Sequence, residues 1–163
     1  MTGRAAQKAE SVALVVLDVD GVMTDGTLVY RGATEPESKA FNIKDGLGIK
    51  LLQRAGIEVA IITGRSSEAV ERRATELGIS TVIQGREDKG AALAELLELR
   101  KQSAASVAYM GDDLPDLGAL RLAIKDSVDW VAPLPGGHGA VRALCDFILQ
   151  AHGVLADLQS DFQ

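Results

Sequence analysis

The stretch VVLDVDGVMTDG, residues 15–26, decides the fold. It begins inside an apolar, β-branched run, Val12 to Leu17, and turns polar at once, with Asp18 and Asp20 on either side of Val19. A run of this length and composition predicts a strand buried on both faces, as in a parallel sheet. Open parallel sheets bind ligands beyond the carboxyl ends of their strands, and that is where both aspartates stand. Asp-Gly is also a common turn pair. The two carboxylates therefore need partners elsewhere in the chain before they imply chemistry.

Those partners follow the other predicted strands. Val59–Ile62 is a second buried run, followed by Thr63-Gly64-Arg65. Val107–Met110 is a third, stopped at Gly111-Asp112-Asp113. A shorter run, Thr81–Ile83, precedes Lys89, which opens a leucine-rich helix to Arg100. Four segments thus deliver carboxylates, a hydroxyl and an ammonium to one sheet edge. Such convergence carries more weight than a lone Asp-x-Asp.

The rest of the chain alternates with these strands. Helical spacing and glycine stops predict helices over Asp45–Ala55, ending at Gly56, and Ser66–Leu77, capped by Ser66 or Ser67 and ending at Gly78. Shorter or later helices are read at Leu114–Leu122 and, after PGGHG, at Ala140–His152. Thr27–Tyr30 and Ser38–Asn42 read as a hairpin around RGATEPE, and Val128–Val131 as an edge strand. Residues 1–11 read as a frayed lead-in. The alternation predicts an α/β, Rossmann-like, three-layer fold: a parallel sheet with helices on both faces, right-handed crossovers and a β-hairpin insertion after the first strand. With no repeat, linker or low-complexity segment, one domain over 1–163 is expected.

Composition narrows the function. The 163 residues are 47% hydrophobic and only 4% aromatic, so Val, Ile, Leu and Ala must build the core. The net charge of −6 argues against nucleic acid as a partner. Cys145 is the single cysteine, so no intrachain disulfide forms, as suits a reducing compartment. It reads as a small buried hydrophobe on the last helix. Leu93, Leu96, Leu97 and Leu99 read as core. No apolar run approaches the roughly 18 residues of a membrane span, and the N-terminus lacks a signal-peptide core. A cytoplasmic protein without membrane partners is expected.

Clustered, Asp18, Asp20 and Asp112 would repel, so a carboxyl pKa must rise or a cation must neutralise them. Hard oxygen donors suit Mg²⁺. Thr63, the Gly64 amide and Lys89 suit an anionic group. Metal, phosphate and a carboxylate nucleophile together describe phosphoryl transfer through an aspartyl phosphate.

LDVDGVMTDG, ITGR, Lys89 and GDDLPD resemble the four motifs of the haloacid dehalogenase superfamily of phosphohydrolases. FNIKDGLGIKLL, VAIITGRSS, LGISTVIQG, KGAALAELL, VAYMGDDLPDL and GGHGAVRALCDFIL resemble its small capless branch, the 3-deoxy-D-manno-octulosonate 8-phosphate phosphatases. Between Gly26 and Asn42 there is room only for a hairpin, not a cap domain. The resemblance implies Asp18 as nucleophile and Asp20 as general acid, then base. It implies Mg²⁺ held by Asp18, the Asp20 backbone carbonyl and Asp112, with Asp113 and Asp116 supporting those ligands. Thr63 and Lys89 would hold the phosphoryl group. Asn42, Ile43, Lys44, Asp45, Gly46, Lys50, Gly64, Arg65 and Arg73, with Asp20 and Lys89, match positions that contact the sugar-acid phosphate. A homotetramer built through the hairpin and a role in lipopolysaccharide biosynthesis are likewise implied.

Two departures stand out. His138 replaces an arginine usual in the glycine-rich motif. RLAIKDSVDW follows GDDLPDLGAL almost directly, leaving the chain about ten residues short by comparison with the family and with the strand such a helix ordinarily precedes. Three other readings stay open. One is a phosphatase of a nine-carbon keto-acid 9-phosphate. Another is a non-catalytic oligomerisation module of a sugar-nucleotide synthetase, which would tolerate loss of Asp20 or Lys89. The third is a phospho-acceptor switch domain, disfavoured by Asp20. Arg73 is equally suited to a surface ion pair with Glu71 or Glu76, and His138 and His152 to solvent-facing or helix-end positions.

Overall fold

The computed structural model describes residues 3–32, 35–123 and 128–162. Among the described residues, four strands, β1 (Leu14–Leu17), β2 (Glu58–Ile62), β3 (Thr81–Ile83) and β4 (Val107–Met110), form one parallel sheet in the order β3-β2-β1-β4. The helices are α1 (Arg4–Ala9), α2 (Ile43–Arg54), α3 (Glu68–Leu77), α4 (Lys89–Arg100), α5 (Leu117–Ala123), α6 (Ala140–Ala151) and α7 (Leu155–Ser160).

Strand periodicity splits the interior into two cores. Val15, Leu17, Val59 and Ile61 face one side and pack with buried residues of α1, α2, α3 and α6. Leu14, Val16, Ala60, Ile62, Val107 and Tyr109 face the other and pack with Ala92, Leu93, Leu96 and Leu97 of α4 and Ala119 of α5. All four side chains of β1 are fully buried, each contributing about 1.5–3 kcal/mol of apolar burial. The predicted helix-on-both-faces layering is what forms.

The register positions the chemistry. Leu17 lies opposite Ile61 of β2 and Met110 of β4. The Asp18 amide donates to the Met110 carbonyl at 3.0 Å, and the Thr63 amide to Ile83 at 2.9 Å. Asp18, Thr63 and Gly111-Asp112 therefore leave the sheet at one edge.

Several expectations are corrected. Residues 4–9 form a helix rather than a frayed lead-in, because Ala9 is buried in the core and Lys8 pairs with Asp129 at 2.7 Å. Among the described residues the hairpin reduces to one antiparallel bridge, Val29 with Ser38, since Leu28, Val29 and Tyr30 are exposed and have no core beneath them. Residues 33–34 of its turn lie outside the described residues. The second helix starts earlier than read, at Ile43, because Asn42 caps it by accepting from the Lys44 amide at 2.8 Å. Ser67 takes the N-cap position of α3 without a side-chain cap bond. Leu114–Asp116 winds as a 3₁₀ turn before α5. Leu99 is exposed, not core. Residues 128–131 form no strand, so among the described residues β4 is the sheet edge. A groove of about 820 Å³ borders it, between Ala108, Met110, Trp130 and Phe147, and reaches Asp112 at one end. Residues 155–160 fold as α7, for which no expectation was made.

Candidate active site

Lys89 is the hub of the carboxyl edge. Its ammonium lies 2.7 Å from Asp18 Oδ2 and 2.8 Å from Asp116 Oδ1, and all three side chains are nearly excluded from solvent. Asp88 caps α4 through the Ala91 amide and so sets Lys89 as the first helical residue. Asp116 is saturated. It accepts from Lys89, from the Tyr109 hydroxyl at 2.6 Å, and from the Asp112 and Asp113 amides at 3.2 and 3.4 Å. It braces the Asp112-Asp113 turn through those two amides. Asp113 is exposed and caps the 3₁₀ turn through the Leu114 amide.

Asp18, Asp112 and Asp116 each offer an oxygen within 4.8 Å of the others. Three carboxylates face one ammonium. Burial raises the Asp18 pKa against the pull of Lys89, and burial with the nearby Asp116 and Asp113 charges raises that of Asp112. Burial alone would lower the Lys89 pKa, but Asp116 and Asp18 outweigh it and hold the ammonium charged. Asp18 Oδ1 is buried without a hydrogen-bond partner. An orphaned anionic oxygen beside surplus negative charge fits a hard divalent cation such as Mg²⁺.

Gly21 runs past this cluster with φ of 82°, and a Cβ there would meet Asp112 Oδ2 at 1.9 Å. The loop from β1 is pinned on its far side as well. The Gly137 amide donates to the Val22 carbonyl at 3.1 Å, and the Asn42 side-chain amide donates to the Gly137 carbonyl at 3.1 Å. His138 stays exposed in this turn.

Asp20 belongs to a second cluster. Its Oδ1 lies 2.5 Å from the Lys39 ammonium and its Oδ2 3.7 Å from Arg65 Nε. Glu37 bridges the two cations, 3.0 Å from Lys39 and 2.5 Å from Arg65. Sequence reasoning singled out Asp20 and Arg65 but missed Glu37 and Lys39. A signal was available: residues two apart in an extended segment share a face. Tyr109 was likewise missed as a partner of Asp116.

Thr63 is buried at the end of β2, with Gly64 half-buried and Arg65 exposed beyond it. The residues expected on the sugar-acid side divide differently. Asp45, expected as a substrate contact, is 3% exposed and accepts from the Arg142 amide at 2.8 Å at the start of α6. Arg73 stacks over Phe41 at 5.8 Å, donates to the Asn42 carbonyl and pairs with Glu76 at 3.4 Å. Gly46 gives its guanidinium room, since a Cβ there would lie 2.4 Å from Arg73 Nη2. Ile43, Lys44 and Lys50 are exposed on α2. Among the described residues, no hydrogen bond or ion pair joins these α2 residues or Arg73 to the carboxylate cluster within one chain.

Residues 43–123 match the haloacid dehalogenase-like hydrolase family. The chain is 44% identical over 160 residues to the 3-deoxy-D-manno-octulosonate 8-phosphate phosphatase KdsC of Escherichia coli K12, covering 91% of this chain and 85% of that one. Since 91% of 163 residues is about 148, roughly a dozen aligned positions of that relative have no counterpart here. The crystal structure of the Moraxella catarrhalis phosphatase of that name, in complex with magnesium ion, phosphate ion and KDO, superposes with a TM-score of 0.94 at 41% identity, covering 100% of both chains. A cobalt-bound form of the Haemophilus influenzae phosphatase gives 0.88 at 38% identity, over 96% of this chain and 100% of that one. Relatives and site geometry agree, and the chain belongs to the haloacid dehalogenase-like hydrolases, in the branch of the 3-deoxy-D-manno-octulosonate 8-phosphate phosphatases.

Proposed function

We propose that this protein hydrolyses 3-deoxy-D-manno-octulosonate 8-phosphate to the free sugar acid and phosphate. One observation carries the reading: Asp18 is oriented by Lys89 through one oxygen while its other oxygen, buried and unpartnered, is left for metal and phosphorus. Asp18, Asp112 and the Asp20 backbone carbonyl would hold Mg²⁺. When bound, Mg²⁺ supplies positive charge that draws the phosphate in and offsets charge building on its oxygens.

Asp18 attacks phosphorus and forms an O–P bond as the bond to the sugar oxygen breaks. Asp20 gives its proton to that oxygen. Asp20, now a carboxylate, takes a proton from water as the water oxygen bonds to phosphorus. The Asp18 O–P bond breaks, phosphate leaves, and Asp18 is restored. Lys89, Thr63 and the Gly64 amide hold the phosphoryl oxygens, and Lys89 keeps Asp18 in line.

The whole of residues 1–163 acts as one catalytic domain in this reading. Arg65, half-exposed beside Asp20, meets the substrate carboxylate. Asn42, Asp45 and Gly46 act indirectly, by fixing α2 against the glycine turn and α6. Lys44, Lys50, Ile43 and Arg73 belong at a contact between subunits of a homotetramer, a reading supported by the exposure of the large apolar side chains of Leu28, Val29, Tyr30 and Ile43. No described helix is long and apolar enough to cross a membrane. The enzyme works in the cytoplasm, in lipopolysaccharide biosynthesis. A phosphatase of a nine-carbon keto-acid 9-phosphate would use the same machinery.

Steady-state phosphate release from the eight-carbon substrate and from a panel of sugar phosphates, with Mg²⁺ and with EDTA, tests this. A kcat/KM about a hundredfold above the panel, roughly 2.7 kcal/mol of discrimination, and lost in EDTA, is expected. Equal, weak activity on the panel would discard the named substrate.

A further inference from the structure

Asp20 meets a buried lysine that the four sequence motifs do not contain. Lys39 is buried to 1% side-chain exposure, and its ammonium meets Asp20 Oδ1 at 2.5 Å. A lone buried ammonium is costly. Glu37, itself 10% exposed, offsets it at 3.0 Å and reaches Arg65 at 2.5 Å. Burial raises the Glu37 pKa, but Arg65 and Lys39 outweigh it and keep the carboxylate ionised. Asp20, Glu37, Lys39 and Arg65 form a charge-balanced ring from three segments of chain. The Asp18 cluster gathers three carboxylates about one ammonium, whereas the Asp20 ring pairs two carboxylates with two cations.

We propose that Lys39, buttressed by Glu37, is a positioning residue that fixes the Asp20 carboxylate for its two proton transfers. This rests on the phosphatase reading and adds to it a residue pair outside the reacting set. Lys39 reaches the chemistry through Asp20. The bridge at Val29 and Ser38 therefore has a catalytic consequence, because it holds the segment carrying Glu37 and Lys39 beside the loop from β1. A carboxylate free to rotate loses alignment with the departing oxygen and with the attacking water. Proton transfer by a placed group supplies about 10²–10⁴ in rate.

Two substrates separate positioning from general damage. p-Nitrophenolate is a good leaving group and departs without a proton, so on p-nitrophenyl phosphate Asp20 is needed only to hydrolyse the aspartyl phosphate. On the sugar-acid phosphate both half-reactions need it. The experiment uses the full-length Mg²⁺-loaded protein, wild type, Lys39→Met and Glu37→Gln, with stopped-flow nitrophenol release, acid-quench trapping of phosphoenzyme and steady-state kcat on both substrates.

In Lys39→Met, kcat on the sugar-acid phosphate is expected to fall about a hundredfold. The first turnover of p-nitrophenyl phosphate falls far less, giving a nitrophenol burst and trapped phosphoenzyme. Glu37→Gln keeps the Lys39–Asp20 contact but loosens it. It shows the same burst with a smaller loss, and it decides the matter if Lys39→Met does not fold. Equal losses on both substrates without a burst, or undiminished turnover of the sugar-acid phosphate, overturn the inference. A wild type inactive on both substrates would overturn the phosphatase reading itself.

Discussion

The Lys89 ammonium and Asp18 Oδ2 lie 2.7 Å apart in a site from which water is nearly excluded. The same ammonium is shared with Asp116 at 2.8 Å. Replacing Lys89 by Met leaves two buried carboxylates face to face without a cation. Breaking a buried pair in this way costs about 3–5 kcal/mol. For a chain of this size that lowers Tm by roughly 6–20 °C. Lys89→Met is expected to be inactive and to recover part of its stability in millimolar Mg²⁺, which replaces the lost charge. Differential scanning fluorimetry with and without Mg²⁺ checks both. Unchanged Tm would mean that the pair is not buried in solution.

Asp18→Asn separates chemistry from stability. Burial raises the Asp18 pKa in the folded protein. A raised folded-state pKa gives stability that is present below the unfolded value of 3.8 and lost as pH climbs through the folded value. At pH 7 the ionised group therefore costs stability that a neutral amide does not. Asp18→Asn is expected to keep or raise Tm at pH 7, with Lys89 still paired to Asp116. Turnover should fall at least about a thousandfold, because an amide is no nucleophile. Phosphate-release assays and thermal melts at pH 7 check the two halves independently.

The strands and their terminal residues were legible because two local signals coincide there. Val12–Leu17 and Val59–Ile62 are apolar runs rich in β-branched residues, Val107–Met110 is a shorter apolar run, and each is followed at once by residues suited to bind. The topology rule for parallel sheets then gathers Asp18, Thr63, Lys89 and Asp112 without any tertiary information. Features set by tertiary contact were not legible. α1 looks like a polar lead-in until Lys8 finds Asp129, 121 residues away. Asp45 has the sequence of a substrate contact, yet its partner is the Arg142 amide, 97 residues on. Glu37 and Lys39 sit in an exposed-looking segment and gain meaning only where the chain folds back on Asp20. The edge strand expected at Val128–Val131 fails for want of neighbours. Among the described residues β4 ends the sheet on that side.

Asp45→Ala tests whether that residue is a cap or a substrate contact. Its carboxylate accepts from the amide of Arg142, the third residue of α6. Loss of such a cap costs about 1–2 kcal/mol, or roughly 2–8 °C in Tm. KM for the sugar-acid phosphate is expected to stay within about threefold, under about 0.7 kcal/mol by the tenfold-per-1.4 rule. A large KM rise with unchanged Tm would return Asp45 to the substrate.

Gly136→Ala strikes the catalytic loop from outside the catalytic residues. A Cβ at Gly136 would lie 1.9 Å from the Gly21 carbonyl oxygen and 2.8 Å from that of Thr24. Both are backbone atoms of the loop that carries Asp20, so no side-chain rotation can make room. Either the glycine turn withdraws or the loop after β1 shifts, and a 1 Å error in placing catalytic groups can cost about a hundredfold in rate. Gly21 cannot yield toward the other side, because Asp112 packs against it. kcat is therefore expected to fall about ten- to a hundredfold while far-ultraviolet circular dichroism stays unchanged. The neighbouring Gly139, whose φ is 107°, gives the contrast. Its substitution strains its own backbone at the start of α6 and is expected to show first as a lower Tm. A Gly136→Ala variant with full kcat would mean that the glycine turn is not what holds the nucleophile loop in place.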